Sequence, residues 1–392
     1  MKKIILTSNA YYPSIGGIEN SLRHLAVEAK QEGYDPIIVV GDIGLDVPLK
    51  AVREEVIDDI NIIRYPLSQT SKPFLRWFNI FTGYFICWRI YKKIYKESPN
   101  TIVVARFHFN AVLAILSGFR QVSYLVPSIN KNQSAVEIKE SRNLSALLGS
   151  VKILLHNIIQ RKALRSCNNF VFSETMLKQC IELAGNSQED YTVVKPGVDG
   201  DRFFTLSKRE RLDFRLESGL PADKILLLFV GRFVKAKGVD LLIKAVAKSR
   251  GELFLVMVGE GEEKTTYEAL IADLNIGNST RIYPPSRNVE KYYRLADAFV
   301  MSSCYEPLGQ TLLEAFASGL NVVAFRRSVY VDTATEELGM DQSIFYASSF
   351  DEISLASTLE GLGPLLDEDA SMTRSRALEK FSWVKLLNDL IG

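Results

Sequence analysis

At 392 residues the chain exceeds what one ordinary hydrophobic core holds, so two domains are expected. Its 47% hydrophobic and 24% charged residues, with a net charge of +1, exclude a disordered chain and argue against a nucleic-acid partner, for which no binding motif appears. Four scattered cysteines, Cys87, Cys167, Cys180 and Cys304, form no CxxC pair, which argues against a disulfide framework or zinc site and fits a reducing, cytoplasmic compartment.

The opening MKKIILTSN is too short in apolar residues for a signal-peptide core and reads as a first strand over 3–8. Further strands are predicted at 36–40, 61–64, 101–106, 122–126, 169–173 and 191–194. Helices are predicted between them at 17–32, 74–96, 111–118, 144–165 and 174–184. Nearly continuous apolar strands alternating with helices imply a parallel sheet covered on both faces. The longest membrane candidate, 77–88, contains Asn79, Thr82 and Gly83 and falls short of the roughly 20 apolar residues a span needs.

The pattern then restarts. Strands are predicted at 225–230, 253–258, 281–283, 298–302, 322–325 and 343–346. Helices come between them at 239–248, 263–274, 289–295 and 308–317, with a further run from 351. The expected organisation is an N-terminal Rossmann-like domain over 1–197, a charged linker over 198–222 and a second Rossmann-like domain over 223–370. Two such α/β, doubly wound domains facing each other leave an interdomain cleft at the carboxyl ends of their strands, where such sheets bind ligands.

Charge is unevenly spread. From Lys72 to Arg165 there are 15 Lys/Arg against the 3 acids Glu97, Glu137 and Glu140, a balance of +12. The same segment is rich in aromatics: Phe74, Trp77, Phe78, Phe81, Tyr84, Phe85, Trp88 and Tyr91. Basic plus aromatic suits an anionic membrane surface or a lipid-diphosphate acceptor. A core helix with a solvated face is the other reading.

Four segments carry chemistry. Gly16-Gly17-Ile18-Glu19 lies between the first strand and a helix, where glycines admit a ligand close to backbone and helix N–H groups favour an anion. It is not a GxGxxG fingerprint. Gly231-Arg232-Phe233-Val234-Lys235-Ala236-Lys237-Gly238 puts Arg232 and Lys237 at a strand's carboxyl end, as a fork and a point charge for phosphate. Glu306-Pro307-Leu308-Gly309-Gln310-Thr311-Leu312-Leu313-Glu314 spaces two carboxylates about 12 Å apart if helical, too far for a shared proton but suited to two parts of one ligand. The N–H groups of Leu308, Gly309 and Gln310 open that helix and suit a diphosphate. Lys195-Pro196-Gly197-Val198-Asp199 closes the first half as a strand exit or hinge turn.

In this order and spacing the four segments resemble the group 1 retaining glycosyltransferases of GT-B architecture (family 4-like). Typical members carry a Gly-Gly-x-Glu loop, a Pro-Gly-Val-Asp turn, Gly-Arg-x4-Lys-Gly and Glu-x7-Glu. Phe381-Ser382-Trp383 also matches, and a final helix over 371–392 crossing back to the N-terminal domain is implied. By that resemblance Arg232 and Lys237 hold the donor diphosphate and Glu314 binds the ribose hydroxyls. Glu306 contacts the sugar with the backbone from Pro307 through Leu308 and Gly309 to Gln310. Gly16 and Gly17 approach the phosphates across the cleft, and Tyr283–Arg287, including Pro285, lies near the base. Members generally need no metal, and no Asp-x-Asp motif is suitably placed.

The chain departs from the pattern in places. The usual histidine after the fifth N-terminal strand is matched by Pro127, so His108, in Arg106-Phe107-His108-Phe109-Asn110, becomes the catalytic substitute. Arg106, His108 and Asn110 are then candidate acceptor contacts. Pro284-Pro285 precedes the base loop where glycine is usual, and Arg326-Arg327-Ser328-Val329-Tyr330 replaces glycines after 322–325. The resemblance implies transfer of a hexose from a UDP- or GDP-sugar to a saccharide acceptor, lipid-linked, in surface polysaccharide or lipopolysaccharide synthesis. No carboxylate is placed as a covalent nucleophile, so front-face attack with retention is expected. The rival readings are a non-catalytic nucleotide-sugar-binding protein, a phosphorylase of the same architecture and an NAD-dependent oxidoreductase. A cytoplasmic protein, peripheral at a membrane's inner face, is expected.

Overall fold

The computed structural model describes the chain except for Ile15, Asp46, 68–72, 130–143, Gly251, Pro307 and 341–342, together with the side chains of 73–77 and 144–152. Lys72, Pro307 and the side chains of Phe74 and Trp77 therefore lie outside the described residues. The chain forms two compact units: Met1–Val194 with Trp383–Gly392, and Lys195–Ser382.

The first unit runs β1 (Lys3–Ala10), α1 (Gly17–Gln31), β2 (Asp35–Ile43), β3 (Arg53–Ile57), β4 (Ile60–Tyr65), α2 (Pro73–Glu97), β5 (Ile102–Ala105), α3 (His108–Ser117), β6 (Val122–Leu125), α4 (Leu144–Leu164), β7 (Asn168–Val171), α5 (Glu174–Ala184) and β8 (Tyr191–Val193). The strand order is β3-β4-β2-β1-β5-β6-β7-β8, parallel except for β3, which pairs antiparallel to β4. Ile4, Ile5 and Leu6 are all fully buried, as a central parallel strand covered on both faces requires. In α1, Leu22, Leu25, Ala26 and Ala29 recur at helical spacing and form its buried stripe.

The second unit runs α6 (Lys208–Glu217), β9 (Ile225–Val230), α7 (Val239–Lys248), β10 (Leu253–Val258), α8 (Lys264–Asp273), β11 (Thr280–Tyr283), α9 (Glu290–Leu295), β12 (Ala298–Met301), β13 (Tyr305–Glu306), α10 (Gln310–Ala317), β14 (Asn321–Phe325), β15 (Asp332–Thr333), α11 (Thr335–Leu338), β16 (Ile344–Ala347), α12 (Glu352–Glu360) and α13 (Asp367–Lys380). Its parallel sheet has the order β11-β10-β9-β12-β14-β16. That is a doubly wound sheet whose order reverses between β9 and β12. One apolar cluster, with Leu226, Leu228, Phe299 and Leu313, covers one face, and another, with Leu227, Phe229, Val239 and Val300, covers the other.

Two boundaries differ from expectation. The stretch 198–222 is not a linker but part of the second unit, with Val198, Phe203 and Leu220 buried in its core. Two of its charges turn inward for a specific reason: Arg215 pairs with Asp297 at 2.7 Å and Arg211 lies 3.6 Å from the same carboxylate, all three buried. Residues 371–382 also belong to the second unit, because α13 packs on α10. The first unit takes only the final helix, α14 (Trp383–Ile391). There Trp383 stacks on His24 at 4.9 Å, and the Ser123 hydroxyl donates to the Leu390 carbonyl at 2.6 Å.

Candidate functional site

A doubly wound sheet leaves an opening beyond the carboxyl ends of the two strands flanking its order reversal. In the second unit these strands are β9, which runs into Gly231-Arg232, and β12, which runs into Ser302 and then Glu306. Both motifs thus arrive at one place. Phe233, fully buried, anchors the first loop, while Arg232 is exposed. The loop ends in one turn over Lys235–Lys237 and in Gly238 at φ +58°, where a Cβ would overlap the Ser302 carbonyl oxygen. Only glycine fits. The Ser302 hydroxyl donates to the Lys237 carbonyl at 2.8 Å, and the Cys304 amide donates to Ala236 at 3.0 Å. The exit of β12 therefore fixes the basic loop.

This clamp delivers the Lys237 ammonium to the Glu306 carboxylate, and the two form an ion pair. Glu306 sits on β13, its carbonyl accepting the Ala334 amide at 2.9 Å. Burial pushes its carboxyl up, but Lys237 and the N–H groups of Gly309 and Leu308 outweigh burial and hold it below the usual carboxylate range. The Gly309 amide donates to Glu306 Oε1 at 3.3 Å. Gly309, at φ +70°, caps α10. Its N-terminal end therefore presents N–H groups beside a cation, a suitable place for anionic oxygens.

Glu314, the fifth residue of α10 and just over one turn in, is 8% exposed. Burial raises its carboxyl to about 7, against the lowering effects of Tyr293 and Arg202. The Tyr293 phenol donates to Glu314 Oε2 at 2.8 Å. Arg202 is set by the Pro-Gly-Val-Asp turn, because Asp199 Oδ1 accepts the Asp201 and Arg202 amides at 3.1 and 3.0 Å. Arg202 then pairs with Glu290 at 2.9 Å and donates to the Arg287 carbonyl, tying down the loop that holds exposed Pro285. The Gln310 side chain closes the turn by donating to the Gly197 carbonyl at 3.4 Å. The second unit thus gathers Arg232, Lys237, Glu306, Leu308, Gly309, Gln310 and Glu314 around the end of its sheet.

Tyr293 and Arg202 were not singled out by sequence. Tyr293 lies 21 positions from its partner and carries no local signal. Arg202, three residues after Asp199, could have been found only by treating the Pro-Gly-Val-Asp turn as a support for the side chain beyond it.

The first unit has an order reversal of its own, between β1 and β5. Gly16 and Gly17 open α1 beyond β1, with the Glu19 carboxylate folded over Gly16. The residues beyond β5 do not behave as expected. Asn110 is fully buried and donates to Thr7 Oγ1 at 2.8 Å and the Tyr65 hydroxyl at 3.0 Å, so it is an internal strut rather than an acceptor contact. His108 is 2% exposed, with Nε2 3.1 Å from His156 Nδ1, and burial followed by His156 holds it well below the usual histidine range. It presents no open face to an acceptor or a reacting sugar. Arg106 is also fully buried, donating to the Leu125 carbonyl at 3.2 Å and lying over Phe172, and burial pulls its guanidinium down to about 10. The reason is that α3 begins at His108, soon after β5, and turns His108 against α4 and Asn110 toward β1, β4 and α2.

Residues 210–358, which contain both the basic loop and the two carboxylates, match the family model of glycosyl transferases group 1. That match lies wholly within the second unit. An uncharacterized glycosyltransferase of Methanocaldococcus jannaschii is 25% identical over 331 residues, covering 82% of this chain and 80% of that protein. The lipopolysaccharide core biosynthesis glycosyltransferase LpsE of Rhizobium meliloti is 38% identical over 112 residues, which span 29% of this chain and 33% of LpsE. Among solved structures, Anabaena HepE in complex with UDP and glucose superposes with a TM-score of 0.70 at 16% identity, covering 100% of this chain and 98% of HepE. That likeness shows the fold: two Rossmann-like parallel-sheet units of the GT-B type. The charged site lies among the residues that match the family model.

Proposed function

We propose that this chain transfers a hexose from a nucleotide-sugar to a saccharide acceptor, with retention of anomeric configuration. The observation that carries the reading is the Lys237–Glu306 ion pair at the order reversal of the second sheet, beside exposed Arg232 and the start of α10. A donor diphosphate brings two negative charges to this point. It takes Lys237 and Arg232 as counterions and releases the Glu306 carboxylate to accept from a sugar hydroxyl. Glu314 accepts from the ribose hydroxyls. As the anomeric carbon–oxygen bond to the diphosphate breaks, Lys237 and Arg232 offset the charge growing on the leaving group. The acceptor oxygen bonds to the anomeric carbon on the same face, and its proton passes to the departing phosphate oxygen.

HepE was solved with UDP and glucose, which supports a UDP-linked donor over a GDP-linked one. The likeness to LpsE supports a lipid-linked saccharide acceptor of the lipopolysaccharide kind. The buried His108 favours a second reading, a domain that binds donor without turning it over.

A thermal-shift screen against UDP-, GDP- and ADP-sugars, in wild type and Glu314→Ala, tests the donor site. Stabilisation by one donor, abolished in the variant, is expected. Absence of stabilisation by any donor overturns the proposal. Turnover of that donor with a chelator present, and an NMR assignment of the product anomer, separate catalysis from mere binding; an inverted anomer overturns retention.

A further inference from the structure

Helix α2 has two unlike faces. Cys87, Tyr91 and Ile94 point inward and pack in the core beside Val39 and Val103. Their spacing of four and three residues accounts for one stripe of the helix. The opposite stripe, at the same spacing, is exposed: Phe78, Phe81, Phe85, Arg89, Lys93 and Lys96. Its first half is not the polar surface of an ordinary solvated helix. Phe78, Phe81 and Phe85 are 61%, 74% and 51% exposed. Three phenylalanines in a row along one helix face form a contiguous apolar patch, which marks an interaction site. The second half is cationic, with Lys92 also held over the Trp88 ring at 5.8 Å.

A second helix repeats the arrangement. On α4, Leu154, Leu155 and Ile158 are exposed, followed by exposed Arg161 and Lys162. Helix α3 packs against both α2 and α4, so the three lie side by side. Each connects parallel strands and so starts at the carboxyl ends of the sheet and returns to the amino ends. The exposed apolar residues of α2 and the cations behind them therefore run in the same sense as those of α4.

We propose that the outer face of α2, with the exposed apolar residues of α4, docks onto an anionic lipid bilayer. The phenylalanines enter the boundary between headgroups and acyl chains, and Arg89, Lys93 and Lys96 meet lipid phosphates. Charge selects this occupant. In the sequences of α2, α3 and α4 the one acid is Glu97, and it lies 3.9 Å from Lys3. A second copy of the chain seated on this face would set cations against cations, whereas an anionic surface neutralises them. This docking deepens the lipid-linked acceptor reading, on which it rests: it places the carboxyl end of the first sheet near the lipid.

The test uses the full chain and co-sedimentation with phosphatidylcholine vesicles, with and without phosphatidylglycerol. Wild type is expected to sediment with the anionic vesicles. Phe81→Ser/Phe85→Ser is expected to weaken binding about tenfold, and Lys93→Glu/Lys96→Glu to abolish the preference for phosphatidylglycerol. Retained donor-induced stabilisation in both variants shows that they are folded. Unchanged vesicle binding in both variants overturns the proposal. So does a wild-type dimer by sedimentation equilibrium that becomes monomeric on loss of the phenylalanines. A wild type that binds vesicles through this face yet binds no nucleotide-sugar supports the docking while the donor reading fails.

Discussion

The phenolic oxygen of Tyr293 lies 2.8 Å from Oε2 of Glu314, 21 residues further along the chain, and both side chains are buried. Glu314 is the carboxylate assigned to the ribose, so Tyr293 decides how it is oriented and how easily it ionises. Tyr293→Phe keeps the ring stacked on Phe299 and edge-on to Phe203 but removes the donor. Loss of one such bond to a charged group weakens donor binding about tenfold. The expected result is a raised donor KM with kcat little changed, the deficit shrinking at high pH as Glu314 ionises regardless. A fall in kcat with KM intact would contradict this positioning role.

Glu314 also makes stability depend on pH. Its folded-state value is about 7 against an ordinary 4.5, so the folded chain retains a proton that the unfolded chain has lost. Stability therefore falls as pH rises from about 4.5 to 7 and is level above that. Glu314→Gln removes the ionisable group, and the variant is expected to gain up to about 3 kcal/mol over wild type at pH 8. Below pH 4.5 the two should coincide. Urea titrations at both pH values check the sign and size.

For the ion pair, the single and double changes should separate. Lys237→Met leaves the Glu306 carboxylate largely buried without its cation and is expected to destabilise the protein by about 3 kcal/mol. Adding Glu306→Gln removes the stranded charge and should restore most of that loss. Donor turnover should stay abolished in both, because the diphosphate no longer finds its ammonium. A double variant as unstable as the single one would mean that the pair does not stabilise through charge.

Gly238→Ala tests the clamp. At φ +58° with the Ser302 carbonyl in the way, an alanine must strain or displace the loop, at about 2 kcal/mol or more. A drop in Tm and a larger loss of donor affinity than at a surface control such as Gly219→Ala are expected.

The parts of this fold that obey local rules were legible in the sequence. Strands β9 and β10 were placed to the residue, because six consecutive apolar side chains leave little else for a buried parallel strand to be. The positions of Lys237 beyond a strand and of Glu314 within the following helix were legible for a similar reason, whereas the short strand that carries Glu306 was read as a loop. Strand β3 was missed, being an edge strand whose Arg53, Glu54 and Glu55 read as loop. The stretch 198–222 was misread because Arg211 and Arg215 look solvated until Asp297, more than 80 positions on, is known to meet them. Asn110 and His108 failed in the opposite way. Polar residues just beyond a central strand usually face a ligand, but here α3 starts at once and rotates them into the unit.

The helix α14 gives the chain an unusual order of completion. It belongs to the first unit, held there by the stack of Trp383 on His24 and by the Ser123–Leu390 hydrogen bond, although everything between Lys195 and Ser382 belongs to the second. During synthesis the first unit emerges first but waits for α14, which is translated only after the second unit. A chain interrupted before Trp383 keeps every strand and helix of the second unit but leaves the first one open, so completing the first core is tied to synthesis of all that lies between.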